Sequence, residues 1–239
     1  MSKVNFNYDV TKDAWSWALI AKDKNMWGLN WRDQIAQIPD ELLEKIENAD
    51  SSYAQKIIKE YIENDPKKEY KNKVMYSEMR TLEKVWRIIE RKYFKILSEI
   101  MQKLIFLDVI DCYFTTGFVC IDNGEENWFM VSMWHSIPFS ITNVCHEIMH
   151  LQFLNGYKDY LKEKGLKNNQ IEDIKESLTF LLNEPEFDKI ILCQDAGYPE
   201  HERLRNRMKS IWQEDKNFQR FLDKAIGITK EEFPNREKI

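Results

Sequence analysis

A mainly helical α+β fold, with a small antiparallel sheet and an N-terminal helical layer, is predicted for this 239-residue chain by three observations. Only 7 glycines and 6 prolines punctuate it, which favours long helices joined by few tight turns. Val85, Ile89, Tyr93, Ile96, Ile100 and Leu104 recur at helical spacing, the signature of one long helix packed along a core. After that stretch the period changes, and β-branched and aromatic residues crowd into VIDCYFTTGFVCIDNGEENWFMVSMW.

Residues 1–105 read as the helical layer. TKDAWSWALIA begins with a capping threonine, PDELLEKIENA has proline and acids in its first turn, and SSYAQKIIKEYIEN is amphipathic. The long helix is expected from Leu82 onward. Residues 106–239 hold the sheet and a second helical set. Asn123-Gly124 favours a hairpin turn, and the last strand covers about Trp128 to Trp134. Pro138 then suits the first turn of a helix, which is expected to stop at Asn155-Gly156. NNQIEDIKESLTFLLN and a run from about His201 to Ile226 read as further helices, followed by a short terminal turn. No repeat, low-complexity tract or linker divides the chain, so one compact domain is the simplest organisation.

Composition narrows the function classes. A hydrophobic content of 43% is enough to bury a sizeable core and excludes a disordered chain. The 35 basic and 40 acidic residues are interspersed and leave a net charge of -5, which argues against a nucleic-acid partner. MSKVNFNYDV lacks the apolar core of a signal peptide, and no stretch reaches the roughly 18 apolar residues of a membrane span. A cytoplasmic protein without membrane contact is therefore expected. Cys112, Cys120, Cys145 and Cys193 lack paired spacing and read as reduced thiols.

NVCHEIMHLQF, residues 143–153, uses two of the chain's 4 histidines. On a helix, Ile141, Val144, Ile148 and Leu151 form one apolar stripe, while His146 and His150 lie nearly opposite, on a face shared with Phe139 and Phe153. Both faces call for cover, and buried imidazoles need partners. The HExxH spacing lets two imidazole nitrogens converge on one ion, with Glu147 able to reach a water on that ion without ligating it. Zinc needs a third protein ligand if one position is to stay open. Glu176 enters a segment with apolar side chains on both sides, where a carboxylate asks for a cation; Glu172, one turn further out, is the rival.

HEIMH at His146 to His150, a hairpin leading into it and a glutamate on the next long helix resemble the gluzincin metallopeptidases. The resemblance implies a zincin-like core, Zn2+ held by His146, His150 and Glu176, and Glu147 as general base. It also implies that the strand near Trp128 to Trp134 is the sheet edge along which a peptide or protein substrate lies. KESLTFLLN stands in place of that family's NExxSD box, so the resemblance bears on fold and metal more than on substrate.

An oxyanion donor outside the metal helix is also required. DAGYPEHERLR offers Tyr198 or His201 for that role, with Asp195 as orienting partner, against the alternative of ordinary turn chemistry. His135 reads as a turn residue near the presumed substrate strand. The expectation is thus a zinc-dependent hydrolase, a metallopeptidase. The alternatives are a binding or regulatory protein on the same scaffold holding zinc without turnover, and a metal-free helical interaction protein.

Overall fold

The structure, a computed structural model, describes residues 2–22, 27–30 and 39–234. It is mainly helical, with a four-stranded sheet. The chain opens on strand β1 (Lys3–Tyr8), whose Val4, Phe6 and Tyr8 alternate with polar residues at the strand period. Helices α1 (Val10–Lys22), α2 (Asp40–Glu47) and α3 (Ser51–Glu63) follow. The cap of α1 is Asp9, whose carboxylate accepts from the Thr11 and Lys12 amides, two residues before the threonine that the sequence suggested. Asp50 caps α3 through the Tyr53 amide. These three helices share a small apolar core of their own around Trp17, Ile20, Ile46 and Ile58.

Helix α4 (Lys68–Met101) is the long helix and begins well before Leu82. It joins the main core through Trp86, Tyr93 and Leu97, and ends where Gln102 turns left-handed at φ 53°. Strands β2 (Val109–Thr115), β3 (Asp122–Asn123) and β4 (Trp128–Ser132) complete the sheet in the order β1-β2-β4-β3.

The sheet is mixed, which corrects the antiparallel expectation. β1 pairs parallel to β2 with Phe6 opposite Cys112, and β2 pairs parallel to β4 with Cys112 opposite Phe129. Only β3 and β4 run antiparallel, and β4, expected at the sheet edge, lies between β2 and β3. Parallel pairing needs a crossover of about a dozen residues, and residues 116–127 supply it between β2 and β4. The short return through β3 is all that remains of the expected hairpin, its turn held by Asn123 Oδ1 accepting from the Glu125 and Glu126 amides.

Helix α5 (Ile137–Glu163) runs through Asn155-Gly156 without stopping, a second correction. Asn155 donates back to the Leu151 carbonyl, and the bare Gly156 backbone lets the Lys103 side chain lie against it. The true stop is Gly165 at φ 81°, beyond which the Leu166 amide bonds back to Leu161. Ser140 to Phe153 is buried except at Asn143, so this segment is covered on both faces.

Helix α6 (Asn168–Leu178) tightens into a 3₁₀ turn, Thr179–Asn183. After a second 3₁₀ turn, Pro199–His201, the run expected as one helix divides into α7 (Glu202–Glu214) and α8 (Phe218–Glu232). Asn217 makes the break by capping α8 through the Arg220 amide. Any turn beyond α8 falls partly on residues 235–239, outside the described residues.

Candidate metal centre

Helical spacing puts His146 and His150 on one side of α5, their ring centroids 4.2 Å apart. From α6, Glu176 reaches between them. Its Oε2 lies 3.5 Å from His146 Nε2 and 3.6 Å from His150 Nε2. Both separations exceed an ordinary N–H···O hydrogen bond, and all three residues are buried. A histidine pair merely satisfied inside a core would close on the carboxylate. Ligands on one tetrahedral zinc ion, with bonds of about 2.0–2.2 Å, stand about 3.3–3.5 Å from one another. The observed spacing fits an ion shared by the three atoms. Glu176 Oε2 and the His150 Nε2 that faces it lack a hydrogen-bond partner among the described residues, as atoms kept for a metal would.

The surrounding groups orient this triad. His146 Nδ1 lies 2.6 Å from Asp195 Oδ2, so the ring donates there and turns its Nε2 lone pair toward Glu176. Asp195 is itself held by the Thr179 hydroxyl at 2.9 Å and the Arg205 guanidinium at 2.6 Å, while Asn183 pairs with its backbone. Burial alone would depress the His146 pKa, but the Asp195 carboxylate carries it well above 6.5. Burial likewise opposes charge on His150, whose pKa is nevertheless raised, chiefly by Glu176. Against the cost of burial, His146 and then Arg205 bring Asp195 down to about 2, and His150 and Lys175 hold Glu176 far below the usual carboxylate range.

His150 Nδ1 faces Asp122 Oδ1 at 3.5 Å and Glu147 Oε2 at 3.7 Å. Asp122, Glu147, Glu176 and Asp195 thus gather four carboxylates around the imidazoles, with the Lys175 ammonium on Asp122 and the Arg205 guanidinium on Asp195.

Two cavities, each of about 200 Å3, flank the centre and share Cys120, His146, Glu147 and Tyr198. One has Phe118, His135 and Phe139 in its wall; the other has Leu19, Trp27 and Ile121. Glu147 therefore faces a cleft that continues to both sides. Tyr198 packs its ring against Trp27, with centroids 4.6 Å apart. Its phenol stays protonated well above the ordinary value, first through burial and then through the nearby Glu176 and Glu147 charges.

The predicted residues separate into two groups. His146, His150, Glu176, Glu147 and Tyr198 come together. His201 does not line either cavity: it is 1% exposed, with Nε2 3.1 Å from Asp173 Oδ1. Glu172 lies outside the His146–His150–Glu176 group, half-exposed, with Oε2 2.8 Å from Lys175. Asp195 orients His146, where the sequence had suggested Tyr198 or His201. His135 pairs with Asn143 at 2.9 Å in a cavity wall. Asp122 and Lys175 were missed: one reads as a turn residue and the other as a surface lysine, and only their meeting across 53 residues gives them a role.

No family model matches the chain, and neither a curated protein nor a solved structure does.

Proposed function

We propose that this chain is a zinc-dependent hydrolase of the metallopeptidase type, acting on a peptide or amide bond. The observation that carries the reading is the buried triad of His146 Nε2, His150 Nε2 and Glu176 Oε2, spaced as ligands of one ion and not as hydrogen-bonded partners. His146, His150 and Glu176 would hold the zinc, which when bound acidifies a water and polarises a carbonyl at the position left open.

The chain's own residues supply the rest. Glu147 stands beside the ligands in the wall of both cavities, where its carboxylate takes the proton of the attacking water and returns it to the leaving amine. Tyr198, kept neutral, donates its hydroxyl to the oxygen on which negative charge develops. Asp195 holds the His146 ring against rotation.

Metal content and catalysis are tested together. Protein prepared without chelator should carry about one equivalent of zinc, and His150→Ala should lose most of it. Glu147→Gln should keep zinc and fold, while cleavage of peptides selected from a library falls by about two orders of magnitude or more. Tyr198→Phe should lower turnover with little change in substrate affinity. Wild-type protein that stays free of metal after supplementation overturns the reading. Zinc without any Glu147-dependent turnover leaves a binding scaffold.

A further inference from the structure

Lys175 is 4% exposed although it stands on α6 directly before Glu176. Its ammonium lies 2.6 Å from Asp122 Oδ1, 2.8 Å from Glu172 Oε2 and 3.4 Å from Glu176 Oε1. Glu176 is thereby divided: Oε2 faces the two imidazoles and Oε1 faces the ammonium. A carboxylate used in this way, with more carboxylates converging beyond it, is the layout of a two-cation centre bridged by one acid. Here one of the two cations is a side chain.

We propose that Lys175 is a built-in cation standing where a second metal ion would sit, keeping the centre mononuclear and confining Glu176 to ligation through Oε2 alone. The inference rests on the reading of the triad as a metal centre. Its physical basis is occupancy and charge. An ammonium inside a ring of three carboxylates excludes a second ion from the same space and supplies part of the positive charge those acids need. To ligate through both oxygens, Glu176 would have to give up its contact with the ammonium. Lys175 is in these terms a positioning residue, acting on metal through Glu176 and Asp122.

Cobalt, whose visible spectrum reports coordination number, is the probe. Wild-type protein titrated with excess Co2+ and desalted should retain about one equivalent, with the intense bands of a low-coordinate site. Lys175→Met should retain about two equivalents, and its bands should weaken as coordination rises. Lys175→Arg, which keeps the charge, should restore the single equivalent and the wild-type spectrum. A second equivalent retained by wild type and lost in Asp122→Asn overturns the inference without recourse to any Lys175 variant. So does Lys175→Met that folds by circular dichroism yet binds one equivalent with an unchanged spectrum. Wild-type protein that binds no cobalt defeats the underlying metal-centre reading instead.

Discussion

At the scale of single residues, the histidine pair was legible because helical geometry makes a four-residue interval a spatial contact. Glu176 could be singled out over Glu172 because burial of a carboxylate can be read from the apolar residues around it. Asp195 was seen in its loop but not as the partner of His146, since nothing local relates residues 49 positions apart. Asp195→Asn keeps the shape but removes the charge, and should weaken zinc binding about 10–100-fold with the fold retained. Competition with a chelating dye would measure it.

The same imidazoles set a pH dependence. Both His146 and His150 have pKa values raised above 6.5 in the metal-free protein. Stability from their protonated forms is therefore fully present below about pH 6.5 and is lost as pH rises through the higher folded values. Zinc affinity should run the other way, rising with pH across that window, because a protonated imidazole cannot ligate. Urea unfolding of the chelated protein and zinc titrations across a pH series should show the two opposite slopes. Parallel slopes would contradict the assignment.

Among elements, α5 does most to build the centre. The sequence showed where it starts and that both faces needed cover, but it placed the end at Asn155-Gly156. A glycine stops a helix only where the backbone turns left-handed, and local sequence does not distinguish that case from a glycine chosen to admit a neighbour. Gly156 admits Lys103, whereas Gly165 makes the turn. A Cβ on Gly165 would meet only Lys230 Nζ, at 3.8 Å, so the cost of Gly165→Ala is backbone strain alone. It should destabilise by about 1–2 kcal/mol in thermal or urea unfolding. Gly156→Ala, at a helical position, should cost less. Strand direction escaped the sequence for a related reason: alternation reveals a strand, but its partner is set by how far the chain travels between strands. Val4, Phe6 and Tyr8 carry that alternation, but in a stretch too short to stand out from the helical segments that follow it.

For the whole molecule, the proposed centre couples ligand binding to folding. Its parts come from β3, α5, α6 and the loop bearing Asp195, so zinc bound to them holds four separate stretches together. An ion at about a hundred times its dissociation constant adds about 2.7 kcal/mol, which for a chain of this size is a rise of roughly 5–10 °C in Tm. Calorimetry with and without chelator should show the rise in wild type and its absence in Glu176→Gln.

The parallel pair β1–β2 has a consequence for the chain as it is made. Lys3 meets Val109 in the sheet, so the first strand leaves the ribosome long before its partner exists. At about 5–20 residues per second, β1 waits on the order of 5–20 s with its backbone groups unpaired. During that time α1, α2 and α3 can begin to assemble their own small core, which is completed only when Val119 and Ile121 arrive and Thr115 and Thr116 bond to α1. The sheet, and with it the ground on which α5 lies, closes only after translation has passed β4. The proposed centre is thus among the last parts of the molecule to be completed, and a metal ion bound there would enter a nearly finished protein.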